Sequence, residues 1–147
     1  MGAVRSTRPA GWAWGLLVLG VLAGCGREPA PHPDTGAASA AQDYFEAVLR
    51  QDWARAYAAL GSEGRARWSI AEFARRAQAY RRNLGFDPEA VRVRSCGEDG
   101  PKAIAHVTLM GRVDSRQRFS KDAVALRQCG PAWGVVLPRD FGRQRAR

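Results

Sequence analysis

Ala103-Ile104-Ala105-His106-Val107-Thr108-Leu109-Met110-Gly111-Arg112-Val113 alternates with a period of two. Such alternation is the signature of a strand with one face on a core. Ala105, Val107, Leu109, Gly111 and Val113 share one face; Ile104, His106, Thr108, Met110 and Arg112 share the other. Turn-forming stretches flank it, Gly97-Glu98-Asp99-Gly100-Pro101 before and Asp114-Ser115-Arg116-Gln117 after. Outward from these, residues 91–96, 118–129 and 133–137 read as further strands, the last two joined through Gly130-Pro131-Ala132. Connections this short imply an antiparallel meander. Phe119 has the opposite parity from Val124 and Leu126, which predicts a bulge at Ser120-Lys121-Asp122 that bends the sheet.

Upstream of Asp87-Pro88 the period lengthens to that of a helix. Ala41, Tyr44, Phe45, Val48 and Leu49 fall on one face of a helix beginning near Ser39. Trp53, Ala56, Tyr57 and Leu60 form a second apolar set, with Asp52 placed to cap it. Gly61 and Gly64 interrupt the pattern. Ser69-Ile70-Ala71-Glu72 has the form of a capping box and predicts a third helix. Phe73, Ala77, Tyr80 and Leu84 form its apolar stripe, and Gly85 is placed to end it. Helices followed by a meander define an α+β domain, N-terminal helices packed on one face of a curved four-stranded antiparallel sheet.

The start of the chain obeys different rules. Arg5 and Arg8 precede residues 12–23, all apolar or glycine, and the run ends at Leu22-Ala23-Gly24-Cys25. A spanning helix needs about 20 apolar residues, so this run falls short, while a basic start, apolar centre and small-residue end describe an export signal. The final four residues resemble the lipobox of bacterial lipoproteins. That resemblance implies a signal peptide over residues 1–24, diacylglycerol placed on the Cys25 thiol by a lipoprotein diacylglyceryl transferase, and cleavage before Cys25 by lipoprotein signal peptidase. Further acylation, commonly palmitate, occurs on the new amino group. The implied location is the cell envelope: the periplasmic side of the outer membrane in a diderm source, otherwise the outer face of the cytoplasmic membrane. Residues 25–38, rich in proline and poor in large apolar side chains, read as a tether.

Without residues 1–24 the chain has 123 residues, enough for one domain, here expected over 39–138, and a formal charge of +7 against +9 for the whole. Twenty-one of the 23 basic residues are arginines. An exported domain meets little nucleic acid, so none is expected as a partner; the charge suits anionic envelope polymers and lipid or a solvated surface. Residues 139–147 carry four arginines, show no core pattern and are predicted to fray. With Cys25 taken by lipid, Cys96 and Cys129 remain as a pair in an oxidising compartment, a disulfide candidate. No metal-spaced cluster, nucleophile elbow or phosphate-binding glycine loop is present, and neither a metal nor a cofactor is expected.

Tyr44-Phe45-Glu46-Ala47-Val48-Leu49, Asp52-Trp53-Ala54-Arg55-Ala56-Tyr57-Ala58-Ala59-Leu60, Ser62-Glu63-Gly64-Arg65 and Gly130-Pro131-Ala132-Trp133-Gly134-Val135-Val136 resemble small secreted members of the NTF2-like, or cystatin-like, superfamily. The resemblance implies a cone whose sheet wraps a long helix and leaves a pocket at its wide end. Tyr57, Phe73, Tyr80 and Leu109 are its candidate lining residues. Enzymes of that superfamily, ketosteroid isomerases and polyketide cyclases among them, place an acidic or histidine base in the pocket with an oxyanion donor. His106 points away from Val107 and Leu109, Asp114 sits in a turn and Asp122 in the irregular segment, so no catalytic residue is expected. The sequence therefore predicts a non-catalytic envelope lipoprotein that binds a small apolar ligand or an envelope protein; the alternative is a small pocket enzyme of the isomerase or cyclase type.

Overall fold

The computed structural model describes residues 35–143. Cys25, the signal segment and most of the tether lie outside these residues. Four helices come first: α1 (Ala37–Leu49), α2 (Trp53–Ala58), α3 (Ser62–Arg67) and α4 (Ile70–Asn83). Four strands complete the fold: β1 (Asp87–Asp99), β2 (Lys102–Val113), β3 (Arg116–Cys129) and β4 (Ala132–Val136). They pair antiparallel in the order β1-β2-β3-β4, with the helices packed against the sheet. No helix among the described residues is long and apolar enough to cross a membrane.

Local chemistry accounts for these elements. The Asp52 Oδ1 accepts the Arg55 amide at 3.0 Å, and the Ser69 hydroxyl accepts the Glu72 amide at 3.2 Å, so α2 and α4 start where the caps predicted. The box at α4 is half a box, because the Glu72 carboxylate turns to Arg76 Nε at 2.8 Å and to Arg75. α3 is an addition to the three predicted helices: Gly64 is buried inside it, its Cα facing the Leu60 side chain. A larger residue there would crowd Leu60, and the glycine that breaks the apolar period is what lets this short helix close on α2.

Among the described residues the core is one cluster running from Ala37 to Phe141. Tyr44, Phe73, Leu60, Leu109 and Leu126 are its largest fully buried side chains; each such aliphatic or aromatic group contributes about 1.5–3 kcal/mol of transfer free energy. The inward face of β2 is the one the alternation predicted, with Ala103, Ala105, Val107, Leu109 and Gly111 buried and His106 exposed on the far side. Two glycines are fixed by close approach. A Cβ on Gly111 would stand 2.1 Å from the Asp87 carbonyl oxygen, and one on Gly134 would stand 2.6 Å from the Gly61 Cα. At Gly134 the α2–α3 junction docks on β4, the Gly61 amide donating to the Val135 carbonyl and the Val135 amide to the Ala59 carbonyl, both at 2.9 Å.

Three expectations are corrected. The ladder between β2 and β3 is unbroken from Lys102–Arg127 to Val113–Arg116, so no bulge lies at residues 120–122. The irregularities are in β1, between Pro88 and Ala90 and between Val93 and Ser95, where Glu89 and Arg94 are exposed and the extra residue costs no apolar burial. The second bulge reverses the parity of the rest of β1. Cys96 therefore packs against the core, whereas Cys129 is exposed.

No disulfide joins Cys96 and Cys129. They lie on opposite faces, and Cys96 aligns through Ala105 with Val124, five residues along β3 from Cys129. Two strand spacings and that stagger separate them by roughly 19 Å, far beyond the ~4.4 to 6.8 Å Cα span of a bridge. Residues 139–143 do not fray either: Phe141 is buried and stacks on Phe73 and Tyr80. At the other end, Thr35 is held before α1, its hydroxyl 2.8 Å from Glu98 Oε2 and 2.9 Å from the Trp133 indole nitrogen.

Candidate functional site

The inward positions of β3 change character along the strand. Leu126 and Val124 are buried core, and continuing at the same parity come Asp122 and Ser120, polar and half-buried. β4 explains the change. It ends at Val136, opposite Ala125, so the Arg116-to-Val124 half of β3 has no β4 partner. The space beside that half is a cavity of about 1140 Å³. Residues 137–143, after β4, close its far side, the C-terminal turn of α4 supplies Tyr80, Asn83 and Leu84, and α1 supplies Tyr44 and Phe45.

Aromatic rings crowd one end of this cavity. Tyr44 and Phe45 meet edge to face at 5.1 Å, and Tyr80 and Phe141 stack at 5.3 Å. Among them sits the Asp122 carboxylate. Its Oδ2 accepts the Tyr80 hydroxyl at 2.8 Å and its Oδ1 accepts the Ala123 amide at 2.8 Å. The Tyr44 hydroxyl is fully buried and has no hydrogen-bond partner. Burial pushes the pKa of both phenols far above the ordinary tyrosine range, and the Asp122 charge pushes them further; at Tyr80 the hydrogen bond given to Asp122 adds to the rise. A second negative charge is thus strongly disfavoured at this end of the cavity.

Of the four candidate lining residues, Tyr80 alone borders the cavity. Phe73 and Leu109 are wholly buried in the core. The Tyr57 hydroxyl donates to the Trp68 carbonyl at 2.8 Å, with the Arg65 carbonyl 3.0 Å away, and so ties α2 to the loop before α4. His106 faces solvent on the opposite side of the sheet, and Asp114 sits in the two-residue β2–β3 turn with Ser115, both with positive φ. Sequence reasoning missed Tyr44, Phe45, Asp122 and Phe141 as one group. The signal for Asp122 was present: the even parity of Leu126 and Val124, carried on without a break, puts Ser120 and Asp122 inward. For Phe141 the signal was weaker, a lone large apolar residue within a basic tail.

The described residues contain no cluster of His, Cys, Asp and Glu able to hold a metal ion. The arrangement offers an aromatic enclosure, one carboxylate, and one buried hydroxyl able to donate or accept a hydrogen bond.

No protein-family profile matches the chain. No curated protein matches it either. Among solved structures, an NTF2-like transpeptidase from Campylobacter jejuni superposes with a TM-score of 0.51 at 12% identity, over 68% of this chain and 96% of that one. A SEC-C motif-containing protein from Rhodopseudomonas palustris superposes with a TM-score of 0.47 at 14% identity, over 62% of this chain and 67% of that one. The first likeness is one of fold: helices packed against a four-stranded antiparallel sheet, the α+β arrangement of that NTF2-like neighbour.

Proposed function

We propose that the chain is a lipid-anchored cell-envelope protein whose NTF2-like domain binds a small, largely apolar molecule without transforming it. The cavity of about 1140 Å³ between α1, α4 and the unpaired half of β3 carries the binding part of this reading. Small-molecule sites are concave, mostly apolar and aromatic, with a few convergent polar groups. The anchor part rests on Leu22-Ala23-Gly24-Cys25 behind a basic, apolar leader. Two or three acyl chains would hold the domain stably at a membrane, where one would not.

Mass spectrometry of the native protein tests both parts. The expected results are a co-purifying small molecule lost on denaturation, and an N-terminal peptide beginning at a lipid-modified Cys25. A chain carrying the intact leader with an unmodified Cys25, or Cys25→Ala remaining in the membrane fraction with its leader cleaved, overturns the anchor. A native domain that binds no apolar probe overturns the pocket.

Asp122 favours a second reading. The sequence placed no base in the pocket, whereas a carboxylate beside a buried tyrosine hydroxyl is the equipment of a small isomerase or cyclase. Against this, both Asp122 oxygens are already engaged, Oδ2 by the Tyr80 hydroxyl and Oδ1 by the Ala123 amide. Solvent-exchange NMR of bound ligands separates the two: proton exchange at a ligand carbon, abolished by Asp122→Asn, establishes the enzyme.

A further inference from the structure

We infer that the aromatic end of the cavity selects an organic cation, an ammonium group carried on an apolar body. This rests on the reading of the cavity as a ligand site and names the ligand class. Asp122 is the starting point. Among the described carboxylates, Asp43, Glu46, Glu63, Glu72 and Asp87 each have an arginine partner, Asp52, Glu89, Asp99, Asp114 and Asp140 have none but are exposed, and half-buried Glu98 is held by Thr35. Asp122, in a chain with 21 arginines, has no cationic partner among the described residues; its two contacts are a phenol and an amide. Its neighbour Lys121 is on the other parity of β3 and exposed; Asp140 and Arg143, also exposed, are the other charged residues bordering the cavity.

An apolar ligand entering the cavity strips water from that carboxylate. With a neutral head group the charge is left poorly solvated, and with an anionic head group it is opposed; an ammonium compensates it. The walls agree with the charge. Tyr44, Phe45, Tyr80 and Phe141 all border the cavity, and the negative faces of aromatic rings attract cations, most strongly where water is excluded. The Tyr44 hydroxyl supplies the third element. It is buried and without a partner, it belongs to a residue that borders the same cavity as Asp122, and a ligand N–H that reached it would supply the bond it lacks. A primary ammonium thus suits the carboxylate and the rings together, and has N–H groups to spare for the Tyr44 oxygen.

The test uses decylamine, decanol and decanoate, one chain with three head groups, each below its aggregation concentration at pH 7. The protein is residues 26–147 in unlipidated form, which contains the complete core. Calorimetry or tryptophan fluorescence should give decylamine a Kd at least tenfold below that of decanol, with decanoate weakest. Added salt should weaken decylamine binding and spare decanol. Asp122→Asn should bring decylamine to within about twofold of decanol, with decanol unchanged. Head-group selectivity in the unmutated protein is read without any variant, so a misfolded Asp122→Asn leaves the test intact. Decanol or decanoate binding as tightly as decylamine overturns the cation inference and leaves the pocket standing; if none of the three binds, the pocket reading falls with it.

Discussion

Replacing Tyr44 by phenylalanine should stabilise this protein, against the usual direction of core substitutions. The Tyr44 ring is 1% exposed, it packs edge to face on Phe45, and its hydroxyl has no partner. The substitution keeps the ring and its packing and deletes only the oxygen. Burying an unsatisfied hydroxyl costs about 1–3 kcal/mol, and part of that is recovered in the native protein by the nearby Asp122 carboxylate acting on the phenol dipole. The expected gain is about 1 kcal/mol, which in a domain of this size raises Tm by roughly 4–6 °C. Tyr80→Phe is the control: it removes a 2.8 Å hydrogen bond to a carboxylate and should cost about 1 kcal/mol, the lower end for a bond to a charged group because Asp122 is half-exposed and can recruit water. Thermal and urea unfolding monitored by circular dichroism read both variants. If Tyr44→Phe is less stable than the parent by more than about 0.5 kcal/mol, the hydroxyl has a partner and the reasoning fails. Should the variant be more stable and also bind decylamine more weakly, the unpaired oxygen is a cost carried for binding.

Alkaline conditions should destabilise the fold through the same two phenols. Their folded pKa values are raised above the ordinary 10.0, so the unfolded chain loses protons that the folded one keeps; the contribution is full below about pH 10 and declines as pH rises past it, by up to about 1.4 kcal/mol per pH unit for each tyrosine. Urea midpoints between pH 9 and 11 check this, and Tyr44→Phe should reduce the slope. Gly111→Ala should cost about 3 kcal/mol or more, because the new Cβ meets a backbone oxygen of β1 at 2.1 Å and no side chain can move aside; an unchanged Tm would mean β1 does not cross there. Cys129, exposed and outside any disulfide, should react with a maleimide in native protein kept without reductant; failure to label it would reinstate a bridge.

The elements that depend on one repeating constraint were readable from the sequence. The alternation in β2 gave its inward face residue by residue, and the Asp52 and Ser69 caps marked helix starts because each satisfies orphan amides in a way few residue types can. The features that escaped depend on single residues whose context lies elsewhere. The β1 bulges fall at Glu89 and Arg94, charged side chains that face solvent before and after the slip, so no apolar position records it. That hidden slip turns Cys96 toward the core, away from the face of Cys129, so a pairing inferred from cysteine count and compartment alone did not register it. Phe141 was unreadable by period because it lies beyond the last strand, and its place against Tyr80 and Phe73 is set by the fold of residues 137–143 over α4.

The cavity does not come from the small residues on the inward face of β2: Ala105 is wholly buried and Gly111 lies under Phe86 and the Asp87 backbone. Volume is left instead where one strand outlasts its neighbour. β3 runs 14 residues and β4 only five, so the inward side chains of the longer strand are covered by sheet and helix at one end and by a loop at the other. Apolar residues belong at the covered end, and Leu126 and Val124 are there. At the loop end a carboxylate is tolerated, since water still reaches it, and Asp122 stands at that boundary between Tyr80 and the open half of the strand. The loss of apolar alternation in β3 therefore marks a change from core to pocket along an unbroken ladder. A bulge and a pocket produce the same local irregularity in sequence, and only the length of the next strand distinguishes them.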